Sequence, residues 1–270
     1  MSHEPLVRLG FFFGVFLVMA LWEIAAPCRR LRTAKGRRWV ANLGILFLDA
    51  LVTRALFPAA AVGMAFLAAE RGWGLLNNIE LAPAVSIVVS MLGLDLVIYL
   101  QHVMFHAVPA LWRLHQVHHA DVDFDVTTGL RFHPVEIVLS MLIKLAAVAA
   151  LGPPAVAVLI FEVVLNATAI FNHGNVRLAA AVDRGVRWFV VTPDMHRVHH
   201  SVRPIETNSN FGFNLPWWDR LLGTYRDQPV DGHESMTIGL DRFQDRPRQN
   251  LLWLLALPFN RQIGNTSLNG

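Results

Sequence analysis

Apolar residues run through this chain in long blocks separated by short charged connections. The blocks extend from Leu9 to Ala26, Ala41 to Ala69, Pro83 to Gln101 and Val135 to Asn172. A helix needs roughly 20 mostly apolar residues to cross the hydrocarbon core of a bilayer, so each of the first three predicts a span. The fourth is too long for one crossing and carries Gly152, Pro153 and Pro154 near its middle, where a helix breaks. It predicts a helical hairpin, which brings the expected spans to five. Two later stretches, Leu215 to Tyr225 and Leu251 to Phe259, mix apolar and polar residues or are too short to span. Each either lies on the membrane surface or packs on the polar part of the chain.

Composition supports a membrane protein: of 270 residues, 54% are hydrophobic and 16% charged, and the mean hydropathy is +0.42. The block from Leu9 to Ala26 resembles a leader, and Cys28 a lipoprotein cleavage site. Pro27 stands where a small residue is required, and Trp22 and Glu23 look like interface anchors, so an uncleaved span is expected. The net charge of +3 has a local source, because Arg29, Arg30, Arg32, Lys35, Arg37 and Arg38 crowd one short connection. Between two apolar blocks this run marks the cytoplasmic side rather than a nucleic-acid site. If that loop is cytoplasmic, parity brings Gln101, the connection 107–134 and everything after Asn172 to the same side. Three regions follow: 1–81 as an N-terminal membrane region, 82–227 as the core, and 228–270 as a cytoplasmic or interfacial tail.

Charges inside the blocks need partners. Lys144 precedes Pro153 by nine residues and Glu162 follows it by nine, so an antiparallel hairpin sets them level and predicts an ion pair. Asp95 lies seven residues, two turns, before His102, and either holds a histidine from behind or makes a contact between spans. Asp49 and Arg54 read as structural.

The polar segments carry the chemistry. Eight histidines fall into three groups: His102 and His106; His115, His118 and His119; His196, His199 and His200. On a helix, positions i, i+3 and i+4 share one face, so each group is expected to aim its rings at a single point. His173, at the end of the hairpin, and His133, in RFHPVE, are further candidate ligands, whereas His3 and His233 read as solvated. So many imidazoles exceed the four ligands of a structural zinc, which implies two metals. Imidazole suits zinc, copper, iron or nickel, so the ligands alone do not name the metal. The single cysteine excludes a disulfide framework, a Cys-ligated iron–sulfur cluster and a CxxC redox pair. HExxH is absent, which argues against a zinc hydrolase. A histidine-rich metal transporter would place its site near the midplane, and a haem electron-transfer protein would leave the repeated HxxHH without purpose.

At these motifs the chain resembles the fatty acid hydroxylase and sterol desaturase superfamily of integral-membrane non-haem di-iron enzymes. The resemblance extends from about Leu94 to Tyr225. It is carried by HVMFH at His102, LWRLHQVHH ending at His119, RFHPVE at Arg131, NHGN at Asn172, TPDMHRVHHS at Thr192, NFG at Asn210 and WDRLLGTY at Trp218. It implies an all-α membrane bundle with a cytoplasmic helical cap, and two Fe ions held by His102, His106, His115, His118, His119, His133, His173, His196, His199 and His200. It also implies O2 as co-substrate and attack on an aliphatic C–H bond of a fatty acyl or sterol-like lipid, by hydroxylation or desaturation. Asp121, Asp123 and Asp194, with Asp95, are candidate carboxylates behind the ligands, where they would balance the charge of two cations. No GxGxxG occurs, so electrons are expected from a separate cytochrome b5-like protein, ferredoxin or reductase. The expected location is an integral membrane, the inner membrane if the source is bacterial.

Overall fold

The structure, a computed structural model, describes residues 4–244 and 249–260; His3 lies outside them. Among the described residues the fold is all-α, apart from one isolated β-bridge between Ser201 and Ile238. The helices are α1 (Glu4–Ala25), α2 (Lys35–Leu56), α3 (Ala60–Arg71), α4 (Pro83–Ala107), α5 (Pro109–His119), α6 (Pro134–Leu151), α7 (Ala155–Asn172), α8 (Ala180–Val186), α9 (Pro193–His199), α10 (Pro204–Thr207), α11 (Trp217–Leu222), α12 (Gly232–Ser235) and α13 (Leu251–Ala256).

Five helical segments are long and apolar enough to cross a membrane: Glu4–Ala25, Lys35–Asn78, Pro83–Ala107, Pro134–Leu151 and Ala155–Asn172. They fall on the predicted blocks, with two differences. The second is broken between α2 and α3, where Pro58 has no N–H to continue the ladder. The third continues past Gln101 to Ala107, which puts His102 and His106 on the spanning helix itself. The outward faces suit lipid: Phe11, Phe13, Leu17 and Phe47 are each more than half exposed.

The hairpin turns at Gly152, whose φ of 69° is open to glycine and strained for other residues. Its register is the predicted one, with Lys144 Nζ 2.9 Å from Glu162 Oε1. Arg8 of α1 joins from the other side, 2.7 Å from Glu162 Oε2, so the buried carboxylate is shared by two cations. α1 packs along α7, and α2 and α3 pack against α6, so the N-terminal helices belong to the same bundle as the histidine-bearing ones.

Every histidine group sits at one end of this bundle. At that end the Glu23 carboxylate accepts from the backbone N–H of Val126 and Asn175, at 2.8 and 2.7 Å, tying α1 to both loops that leave the spans. Arg38, fully buried at the start of α2, meets Asp121 through two hydrogen bonds of 2.8 Å and Asp125 through one of 2.9 Å. Arg29 donates to the carbonyls of His233 and Met236. Part of the basic run thus holds the cap together, while Arg30, Arg32 and Arg37 remain exposed.

The two ambiguous stretches resolve differently. α13 and the turn after it pack into the cap: Leu254 and Leu257 are buried with Ile45, Trp112 and Val117. α11 sits edgewise, its Trp218 indole donating to Asp95 at 2.8 Å while Leu221 and Leu222 stay exposed. Because Asp95 is near the middle of α4, this segment reaches down to the level of the spans.

Candidate metal centre

Nine buried histidines assemble into two adjacent groups. His102, His106, His115, His119 and His199 form one; His118, His173, His196 and His200 form the other. Within each group the ligand atoms lie within 4.8 Å of one another. This corrects the expectation that each sequence motif aims its rings at a single point. Every HxxHH is divided between the groups.

Helix geometry explains the division. With about 100° per residue, i+4 lies about 40° to one side of i and i+3 about 60° to the other. α5 therefore gives its i, i+4 pair, His115 and His119, to the first group and His118 to the second. α9 makes the opposite assignment: His196 and His200 go to the second group and His199 to the first. α4 adds another i, i+4 pair, His102 and His106, and the end of α7 adds His173.

Several rings are held from behind. The Nδ1 atoms of His102, His199 and His173 stand 2.8, 2.7 and 2.7 Å from the carbonyls of Phe211, Ser209 and Ala169, and His106 Nδ1 is 3.2 Å from Asn208 Oδ1. His115 Nδ1 is 2.7 Å from the carboxylate of Glu136. Such contacts fix the tautomer and turn Nε2 inward. There, Nε2 of His102 and His115 are 3.1 Å apart, and Nε2 of His173 lies 3.1 Å from that of His118 and 2.9 Å from that of His196. Nε2 of His106, His119, His199 and His200 is buried with no hydrogen-bond partner.

Burial pushes His115 and His173 down to about 3, and holds His118, His119, His196, His199 and His200 well below the usual histidine range. At neutral pH these rings are uncharged, with a lone pair free for a metal. Neutral imidazoles converging in a buried site, with orphaned Nε2 atoms, fit metal ions. With metal–imidazole bonds of about 2.1 Å, nitrogens at right angles lie about 3.0 Å apart and tetrahedral ones about 3.4 Å. The three separations of 2.9–3.1 Å are short enough for the rings to share an ion.

The motifs around the groups have structural reasons. Asp219 of WDRLLGTY accepts from the backbone N–H of Phe211 and Gly212 at 2.7 and 2.8 Å, and so shapes the NFG turn whose Phe211 carbonyl orients His102. Asn210 takes a φ of 52° in that turn, and its side chain donates to the carbonyls of Met195 and Arg226. At Gly129 a Cβ would lie 2.7 Å from the Ala169 carbonyl and 2.9 Å from His173 Nδ1, so the loop closes on that ring only with glycine there.

Other candidates go elsewhere. His133 stands outside both groups: it caps α6, its Nδ1 accepting from Val135 N–H at 3.2 Å while Nε2 faces the Leu255 carbonyl at 3.3 Å. Asp95 is engaged by Trp218 rather than by a histidine. Asp121 pairs with Arg38 and Asp194 with Arg197, while Asp123 accepts from the backbone of Arg32 and Thr33, so none of the three stands behind a ligand. Although burial raises the Asp121 carboxyl, Arg38 and Arg131 outweigh it and hold the group at about 2. His233, expected in solvent, is buried beside Asp194 and Arg197. The carboxylate that does reach a ring of the two groups is Glu136, to which the sequence reading assigned no role. Its signal was an acidic residue in the first turn of a spanning helix, with no partner at hairpin register such as Lys144 has.

A cavity of about 240 Å³ opens beneath the first group, between the spans. His102, His115 and Glu136 line its upper end, and Phe12, Leu46, Ile98 and Leu165 are among its apolar walls.

The chain belongs to the fatty acid hydroxylase family, whose model matches residues 87–224. It is similar to the ornithine lipid hydroxylase OlsE of Rhizobium tropici, 29% identical over 179 residues, which cover 66% of this chain and 52% of that protein. Alkylglycerol monooxygenases of Xenopus tropicalis and Homo sapiens are 30% and 28% identical over 156 residues, 56% of this chain and 32% of each relative. The matches thus span about half of one curated relative and a third of the others. No solved structure matches the chain. Family and fold together make this an integral membrane protein of a lipid-modifying family.

Proposed function

We propose that this protein hydroxylates an aliphatic carbon of a membrane lipid, with two iron ions held by nine histidines and O2 as co-substrate. The observation that carries the reading is the pair of neutral histidine groups at the head of a cavity that runs down among the spans. His102, His106, His115, His119 and His199 would hold one ion, and His118, His173, His196 and His200 the other. Five rings in one group exceed the four of a structural zinc site. Bound iron would supply the activation of O2 and the attack on an unactivated C–H bond.

The remaining work belongs to the chain. Apolar walls orient an alkyl chain, and complete burial of the rings excludes water. Glu136 fixes the tautomer of His115, and the Phe211 and Ser209 carbonyls those of His102 and His199. Hydroxylation is favoured over desaturation because the similar proteins are named as hydroxylase and monooxygenases. The exposed basic residues between α1 and α2 favour a cytoplasmic centre by the positive-inside rule. A separate redox protein supplies electrons in this reading, since these 270 residues contain one cysteine and no GxGxxG.

Lipid extracts of cells producing the wild type or His118→Ala test the proposal by mass spectrometry. Gain of one oxygen in a lipid, only with the wild type and derived from labelled O2, is the expected result. Loss of two hydrogens would replace hydroxylation with desaturation, and identical lipid profiles would overturn the enzyme assignment.

A further inference from the structure

The cavity beneath the histidines is not simply greasy. Three acceptor oxygens on its wall are buried with no donor: Oδ1 of Asp49, Oε2 of Glu136 and Oε1 of Gln101. Asp49 and Glu136 are only 5% and 3% exposed. Two donors on the same wall are committed elsewhere. Lys144 Nζ donates to Glu162 at 2.9 Å, and the Gln101 amide donates to Ser140 Oγ at 2.9 Å. Burying an acceptor without a partner is costly, and three around one cavity point to donors that arrive with the occupant.

Glu136 also fixes where those donors sit. Its Oε1 meets His115 of the first histidine group at 2.7 Å, while its Oε2 is the unpartnered atom. A group bound to Oε2 is therefore separated from a ligand ring by the width of one carboxylate.

We propose that the cavity takes a lipid whose polar portion donates hydrogen bonds, from hydroxyl or amino groups, to Asp49, Gln101 and Glu136. The carbon presented to the metal centre then lies next to that polar portion rather than in the middle of a hydrocarbon tail. This rests on reading the site as a lipid hydroxylase and narrows its substrate class.

Competitive retention on the purified full chain in lipid nanodiscs tests it, with bound molecules counted by native mass spectrometry. The probes are hexadecane-1,2-diol against 1,2-dimethoxyhexadecane, and hexadecylamine against hexadecane. The wild type is expected to prefer a donor-bearing probe by up to about tenfold, the scale of one hydrogen bond. Preference for the diol alone would assign hydroxyl recognition, and for the amine alone ammonium recognition. In Asp49→Leu the preference should fall toward one, whereas Asp49→Asn, which keeps an acceptor oxygen, should retain that for the diol. Equal retention of capped and uncapped probes by the wild type, or an unchanged preference in Asp49→Leu, would overturn the inference. Because binding needs neither iron nor turnover, this result is independent of the oxygen-gain experiment: either can fail while the other stands.

Discussion

Replacing Arg38 by methionine should loosen the cap from the membrane bundle, and the structure sets the size of the effect. Arg38 is fully buried and bridges Asp121 and Asp125 of the loop that follows α5, the helix carrying His115, His118 and His119. Removing one partner of a buried ion pair costs about 3–5 kcal/mol, because the other charge is left in a poor solvent. Here the remaining carboxylates are not abandoned. Asp121 keeps Arg131 at 3.7 Å and Thr128 at 3.0 Å, and Asp125 keeps the Thr127 N–H at 2.9 Å and the Trp39 indole at 3.1 Å. The low end, about 3 kcal/mol, is therefore expected. For a chain of this size that corresponds to a melting point lower by about 6–12 °C. Thermal unfolding of detergent-purified wild type and Arg38→Met, both treated with chelator so that metal linkage is equal, measures it. A melting point within about 2 °C of wild type would refute the claim that this cluster holds cap to bundle.

Glu136→Gln should weaken metal retention by about 10- to 100-fold, as loss of a carboxylate behind a ligand histidine does, and chelator competition on the purified protein would detect it; unchanged retention would remove Glu136 from the site. His173→Ala should lose metal from the second group, whereas His133→Ala should keep the full complement and lose only helix-capping stability of about 1 kcal/mol; equal metal loss in both would reverse the assignment. The chelated protein should lose stability as pH falls. The buried histidines have folded values far below their unfolded value of about 6.5, so their contribution is complete above that pH and declines beneath it, and Asp121 adds a further loss between about 3.8 and 2. Melting curves from pH 8 to 5 that stay flat would contradict the burial of neutral rings.

Hydropathy alone placed the spans, because a bilayer demands length and apolar composition whatever the packing. The Lys144–Glu162 pair was legible for a related reason: a two-proline turn fixes hairpin register, and a charge at that depth needs a partner. The break at Pro58 was equally visible in the residues, but continuous hydropathy across it masked the broken helix. The eight clustered histidines and His173 announced the site, yet the division of each HxxHH required knowing that i+3 and i+4 fall on opposite flanks of i. Contacts between distant segments were beyond sequence reasoning. Asp95 has the right spacing to support His102, and only the fold brings Trp218 to it first. His133 looked like a ligand through its motif, although a histidine preceding proline at a helix start is also placed to cap. Asp121 and Asp194 looked free to balance metal charge until Arg38 and Arg197 were found against them.

The central claim is that nine histidines form two metal sites rather than one. Metal analysis of the purified full chain, produced with iron and zinc both available, tests it most directly. The account predicts about two irons per chain, falling to about one in His196→Ala. Zinc in place of iron, or a single metal in the wild type, would contradict it.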